Sequence, residues 1–364
     1  MFATLLGGLP SPAPSPALDP ALDPALAAAL APRGHPRLDT PDTPDTMDDQ
    51  VEAAIRAQEE AGLEPVTDGR LRDPGFEGVA AVLGSGRGEE PVTARAWRFA
   101  ASLTGRAVKQ ALPGPYSLGR RHAIGERQLG GARRASEPAQ RLVGSAKRDL
   151  RERERRTLGY ADALRREIEE LAIAGCPLIE IEETEAHHIG KDDGERRLFR
   201  EAHQRLVEGV TGTHLSLSIV GGSAAGAGIE TILAAPYASL AVDLVAGPDN
   251  WNLVVRLPGD RGVVAGAMTV DEATDQPREL LLWAAHYAAS TGGRGIARVG
   301  LGSAGSFANL TWASAIRKMQ RLGEAARLAS MPPSDELMRS LPPAAISARR
   351  AALGHDAPPR PRRR

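Results

Sequence analysis

Short apolar runs rich in Val, Ile and Leu alternate along this chain with longer segments in which apolar residues recur every three or four positions. That alternation predicts strands interleaved with amphipathic helices, the pattern of an α/β fold on a parallel sheet. The candidate strands are ATLLGG, EPVTDG, RAVKQAL, LIEIEE, THLSLSIV, SLAVDL, GVVAGA and ARVGLG. Eight such strands are the number that closes a (β/α)8 barrel. The helical candidates between them are MDDQVEAAIRAQEEAGL, ARAWRFAASLTG, a long segment through KRDLRERERRTLGYADALRREIEELAIAG, ERRLFREAHQRLVEG and PRELLLWAAHYAASTGG, several of which stop on glycine.

Composition narrows this without redirecting it. The 364 residues are 42% hydrophobic and 25% charged, enough for one large domain with a substantial core. A net charge of −1 supplies no general attraction for nucleic acid, so no nucleic-acid partner is expected. One cysteine, Cys176, excludes an intrachain disulfide and any site needing two thiolates from this chain. No run of about 18 apolar residues occurs, and MFATLLGGLP lacks the basic start of a signal peptide, so a cytoplasmic protein with no membrane partner is expected. The ends differ from the middle. Residues 11–46 carry ALDPALDPALAAAL and DTPDTPDT, a Pro/Ala/Asp-rich long first loop with at most a short helix near 24–32. Residues 342–364 end in HDAPPRPRRR and read as a disordered basic tail, leaving 1–341 as the barrel.

In such barrels chemistry gathers where strands end, which singles out Asp68, Glu182, Glu183, His214, Asp243 and Ser303. Five fragments, in order across residues 3–325, then carry a family resemblance. ATLLGGLPSP resembles TTxxGSFPRP; QEEAGLEPVTDGRLR resembles QxxxGLDxxxDGExxR; SLTGRAVKQALPGPYSL resembles a strand ending in TGP. EIEELAIAGCPLIEIEE is similar to EIxxLxxAGCxxIQIDEP, and SAGSFANLTWASAIRKM to SCGLxxLxxxxAxxKL. The chain thus resembles the catalytic C-terminal barrel of cobalamin-independent methionine synthases, with the methionine synthase/uroporphyrinogen decarboxylase-like TIM barrel as its implied fold.

The resemblance implies a zinc ion held by His, Cys, Glu and Cys, which turns a thiol substrate into a nucleophilic thiolate. Placed on this sequence those positions fall at His214, Ser216, Asp243 and Ala304. A hydroxyl is a poor zinc ligand and a methyl is none, so no sulfur-rich zinc site is expected and the zinc site is degenerate. His214, Asp243 and Glu182 are then the candidate catalytic residues, with Glu183, Asp68, Tyr116 and Ser303 as candidate substrate contacts. Period-two alternation puts Glu180 and Glu182 on one face of their strand. Two readings of these glutamates stay open: a desolvated carboxyl working as acid or base, or pairing with interior cations or a substrate amine. His187 and His188 read as loop residues, and GGSAAGAG as a linker without the lysine of a phosphate loop.

The function expected is that of a divergent methyl- or alkyl-transferase acting on a small amino acid or thiol-like substrate, with no certain cofactor. One alternative is an enzyme of another reaction type in which His214 and carboxylates hold a harder divalent metal. The other is a noncatalytic ligand- or partner-binding paralogue.

Overall fold

The computed structural model describes residues 1–12, 46–85, 91, 93–122 and 139–331, with side chains undescribed at 84–85 and 139–149. The Pro-rich segment that precedes the first helix lies almost wholly outside the described residues, and the basic tail entirely so.

Seven parallel strands form one sheet: β1 Phe2–Thr4, β2 Lys109–Pro113, β3 Leu178–Glu183, β4 His214–Ile219, β5 Ser239–Asp243, β6 Gly262–Met268 and β7 Val299–Ser303. Their order is β1-β7-β6-β5-β4-β3-β2, so β1 and β2 stand at the two edges of a curled sheet. Every predicted strand but one forms. The exception is EPVTDG, which makes a single bridge, Val66 to Val108. It still lies between the two edges: Glu64 N–H donates to Ala3 O at 2.8 Å, and Val66 N–H to Ala107 O at 2.9 Å. Pro65 between them has no N–H to give a ladder, and Thr4 Oγ1 instead donates to its carbonyl at 2.8 Å. Among the described residues the architecture is therefore a seven-stranded half-barrel, without an eight-stranded ladder.

The helices are α1 Met47–Glu60, α2 Glu77–Ser85, α3 Thr93–Ser102, α4 over 115–122, α5 Ala139–Ala174, α6 Asp193–Val207, α7 Ile229–Ile232, α8 Trp251–Arg256, α9 Arg278–Ser290 and α10 Trp312–Ser330. Their ends follow local chemistry. Thr46 and Asp49 close a capping box on α1, and Asp192 and Thr311 cap α6 and α10 through their side chains. The helices α2, α4, α7, α8 and α10 were not among the predicted ones. Four of these are short, and α10 lay inside a fragment read for its family likeness.

The main core lies between sheet and helices, built on residues such as Ile179, Ile181, Leu217, Val242, Phe199 and Leu301. A second, small apolar cluster of Leu6, Val220, Ala241 and Val264, with Phe2 against it, fills the concave side. There the sheet curls tightly. A Cβ on Gly300 would stand 2.3 Å from the Phe2 ring, which would have to move to admit any other residue at that position of β7. Among the described residues no helix is long and apolar enough to cross a membrane.

Candidate functional site

The concave face carries charge as well as apolar side chains. Lys109 on β2 and Glu180 on β3 form an ion pair of 2.9 Å with both side chains 2% exposed. One level nearer the C-terminal ends of the strands, Arg70 and Glu182 pair at 3.0 Å, also buried. Of the two readings open for these glutamates, pairing with interior cations is the one formed. Lys109 was foreshadowed by a lone lysine in RAVKQAL, and Arg70 by its place after Asp68-Gly69. Neither cation was singled out, because only the curled sheet shows which faces which.

Burial pushes the Glu180 carboxyl above its ordinary range, with Lys109 opposing the shift and Glu182 adding to it. Glu180 Oε1 and Ser216 Oγ are buried without a hydrogen-bond partner. Both residues line a cavity of about 540 Å³ at the N-terminal end of the strands, together with His214 and Lys109.

That location corrects the expected grouping of His214 with Asp243 and Glu182. His214 is the first residue of β4, and its Nε2 meets Ser239 Oγ at 2.8 Å. Asp243 is the last residue of β5, and the register pairs Ile219 with Val242, so Asp243 stands level with Val220. His214 lies six residues earlier on its strand, roughly 20 Å away at about 3.3 Å per residue. His214 is the second residue of the predicted run THLSLSIV, so its place at the N-terminal end was already readable; it was the family likeness that drew it toward the other end. Enclosure by the cavity lowers the His214 pKa, although the residue as a whole is exposed.

The other predicted residues are brought to the C-terminal side, but several are already engaged there. Asp243 accepts N–H bonds from Gly221, Val245 and Ala246, yet burial still raises its pKa. Glu183 points away from the concave face and is fully buried. Its carboxylate accepts the N–H groups of Tyr116 (3.0 Å) and Ser117 (2.8 Å) at the start of α4, and Nε2–H of His203 (3.0 Å). His203 Nδ1 in turn meets Tyr237 OH at 2.6 Å. His203 sits on the apolar face of α6, one turn from Phe199, a signal present in the sequence but not weighed. Tyr116 is buried and donates its hydroxyl to Glu195 at 2.5 Å; burial first, and then Glu195, raise its pKa. Ser303 Oγ accepts Leu6 N–H at 2.8 Å and donates to Leu6 O at 3.0 Å, stitching β7 to the chain after β1. Ala304 is buried, its N–H on Met268 O.

Asp68 differs from these. It is only partly buried and lines a cavity of about 300 Å³ with Arg70, Arg72, Phe76 and Val79. One oxygen accepts Arg70 N–H at 2.9 Å, and burial raises the carboxyl's pKa against that bond and the charges of Arg70 and Arg72. Arg70 holds a positive φ of 52°, an uncommon conformation for a residue with a Cβ. Its guanidinium lies over the Phe76 ring at 4.2 Å, and its buried Nε has no acceptor.

No family model and no curated protein matches this chain by sequence. Solved structures do. A B12-independent methionine synthase from Shewanella sp. W3-18-1, in complex with selenomethionine, is 15% identical over 93% of this chain and 98% of its own, with a TM-score of 0.65. A putative vitamin-B12 independent methionine synthase from Listeria monocytogenes is 14% identical over 90% and 97%, with a TM-score of 0.57. The chain shares the fold of these methionine synthases. Within that fold the register shows that Ser218 of β4 and Val220 just after it, not His214 and Ser216, could join Asp243 and Ala304 at the C-terminal mouth. A hydroxyl, an isopropyl group, a carboxylate and a methyl do not fit a thiolate-rich zinc centre.

Proposed function

We propose that this chain binds a small amino acid at the C-terminal side of its sheet, as a divergent methionine-synthase-like protein. Any methyl or alkyl transfer there would occur without activation of the substrate as a zinc thiolate. The observation that carries this reading is the cavity at Asp68, where a half-buried carboxyl and the cations Arg70 and Arg72 stand beside Phe76 and Val79. A zwitterion answers both groups. Its ammonium meets Asp68, its carboxylate meets the guanidinium side of the lining at Arg72 and Arg70, and its side chain lies against the apolar wall. About 300 Å³ matches the lower end of small-molecule sites. The selenomethionine held by the Shewanella protein is a ligand of the same class.

Calorimetric titration with L-methionine, L-homocysteine and other L-amino acids tests the proposal. An L-amino acid should bind, its decarboxylated amine and its deaminated acid should each bind at least about tenfold weaker, and Asp68→Asn should weaken it by at least as much; each lost charge-assisted contact costs about 1.5–3 kcal/mol. No binding at millimolar concentration, or binding untouched by Asp68→Asn, would overturn it. Product analysis with a reduced-folate methyl donor then separates a transferase from the noncatalytic reading, in which binding occurs without turnover.

A further inference from the structure

The loop after β3 turns at once into a one-turn helix, Ala186–His188, which folds three metal-ligating side chains onto one spot. One ligand atom each from Glu185, His187 and His188 lies within 4.8 Å of the other two. His188 Nε2 stands 3.4 Å from Glu185 Oε2. Two ligands of a tetrahedral zinc ion, each about 2.0–2.1 Å from the metal, are about 3.3 Å apart, so this pair already has the spacing of a ligand edge. The imidazole rings of His187 and His188 have centroids 4.0 Å apart, so these neighbours share a side despite their adjacency in sequence.

A second observation singles out His187: its Nδ1 is buried without a hydrogen-bond partner. A buried ring nitrogen of that kind costs free energy unless something satisfies it. Gly222 leaves the ring its room, since a Cβ there would lie 3.0 Å from His187 Cβ. Two guanidiniums already face the carboxylate at long ion-pair distance, so a metal there competes with them. Arg120 Nε is 4.0 Å and Arg121 Nε 3.7 Å from Glu185, at the limit of ion-pair distance, and Arg120 also faces Glu195 at 3.8 Å.

From this geometry we infer that Glu185, His187 and His188 form a binding site for one borderline divalent cation, of the zinc or cobalt class, at the C-terminal face of the sheet. Two imidazoles and a carboxylate suit such ions, and three protein ligands leave a fourth position open to water or a ligand. The site is separate from the Asp68 cavity. Arg121 lies between them, donating to Thr184 Oγ1 at 2.8 Å and reaching Gly75 O at 3.5 Å.

The test uses the full chain without a histidine tag, stripped with chelator, equilibrated with zinc sulfate and dialysed, with bound metal counted by mass spectrometry. One zinc per chain is expected, and cobalt(II) should give the visible absorption of a tetrahedral site. His187→Ala, His188→Ala and Glu185→Gln should each weaken zinc by more than the roughly 10–100-fold typical of outer-shell losses, while His214→Ala leaves it unchanged. Circular dichroism of each variant separates a lost ligand from a lost fold. Substoichiometric zinc in the wild-type chain, or zinc retained by the well-folded loop variants, would overturn the assignment.

Discussion

Replacing Lys109 by methionine isolates the energetics of the concave face. Methionine matches the length of the side chain but strands the Glu180 carboxylate, now 2.9 Å from its only salt-bridge partner among the described residues. Removing one member of a buried pair costs about 3–5 kcal/mol. The cavity beside the pair gives water a route to the stranded carboxylate, so the lower end, about 3 kcal/mol, is expected at neutral pH. Glu180's pKa is raised in the folded state, so its contribution is fully present below the ordinary value of 4.5 and is lost as pH rises through the raised value. Without Lys109 that shift widens. The deficit of the variant should therefore be largest near pH 8 and shrink as pH falls toward 4.5. Urea unfolding of wild type and variant at about pH 8 and about pH 5 measures both effects. The double variant Lys109→Met/Glu180→Leu should recover to within about 1 kcal/mol of wild type, because an apolar replacement leaves no buried charge. A deficit under about 1 kcal/mol at both pH values, or one that does not change between them, would refute the reasoning.

Three further outcomes follow from the same coordinates. Glu183→Gln replaces one carboxylate oxygen by NH2, setting it either against Tyr116 N–H and His203 or against Ser117 N–H, and should cost about 3 kcal/mol in urea unfolding. Burial pushes the Cys176 thiol up to about 11 and leaves it 0% exposed, so a disulfide reagent should not label the native chain at mildly alkaline pH, yet should label it fully in denaturant. His214→Ala should change stability by less than about 1 kcal/mol and leave amino-acid binding intact; loss of binding would mean that the two ends of the strands are coupled.

Much of the architecture was legible because strand and helix write different periods into the chain, and runs such as LIEIEE and THLSLSIV are bounded by clear stops. The failure at EPVTDG has a local cause, the missing N–H of Pro65, whose weight depends on what its neighbours offer in place of a ladder. The candidate site was legible only in part. Asp68 lines a cavity, whereas Glu183 and Ser303 proved to be internal fasteners, and His187 and His188 share a side that an ordinary helical turn would have denied them.

By itself the sequence determined seven of the eight strands, most of the long helices and the family likeness of the fold, since each depends on residue type and spacing along one segment. Only the tertiary structure decided which residues beside β4 stand level with Asp243, which cations neutralise Glu180 and Glu182, and that Glu185, His187 and His188 converge. Those are distances between residues on different strands and turns. They are set by register and curl, which no single segment encodes.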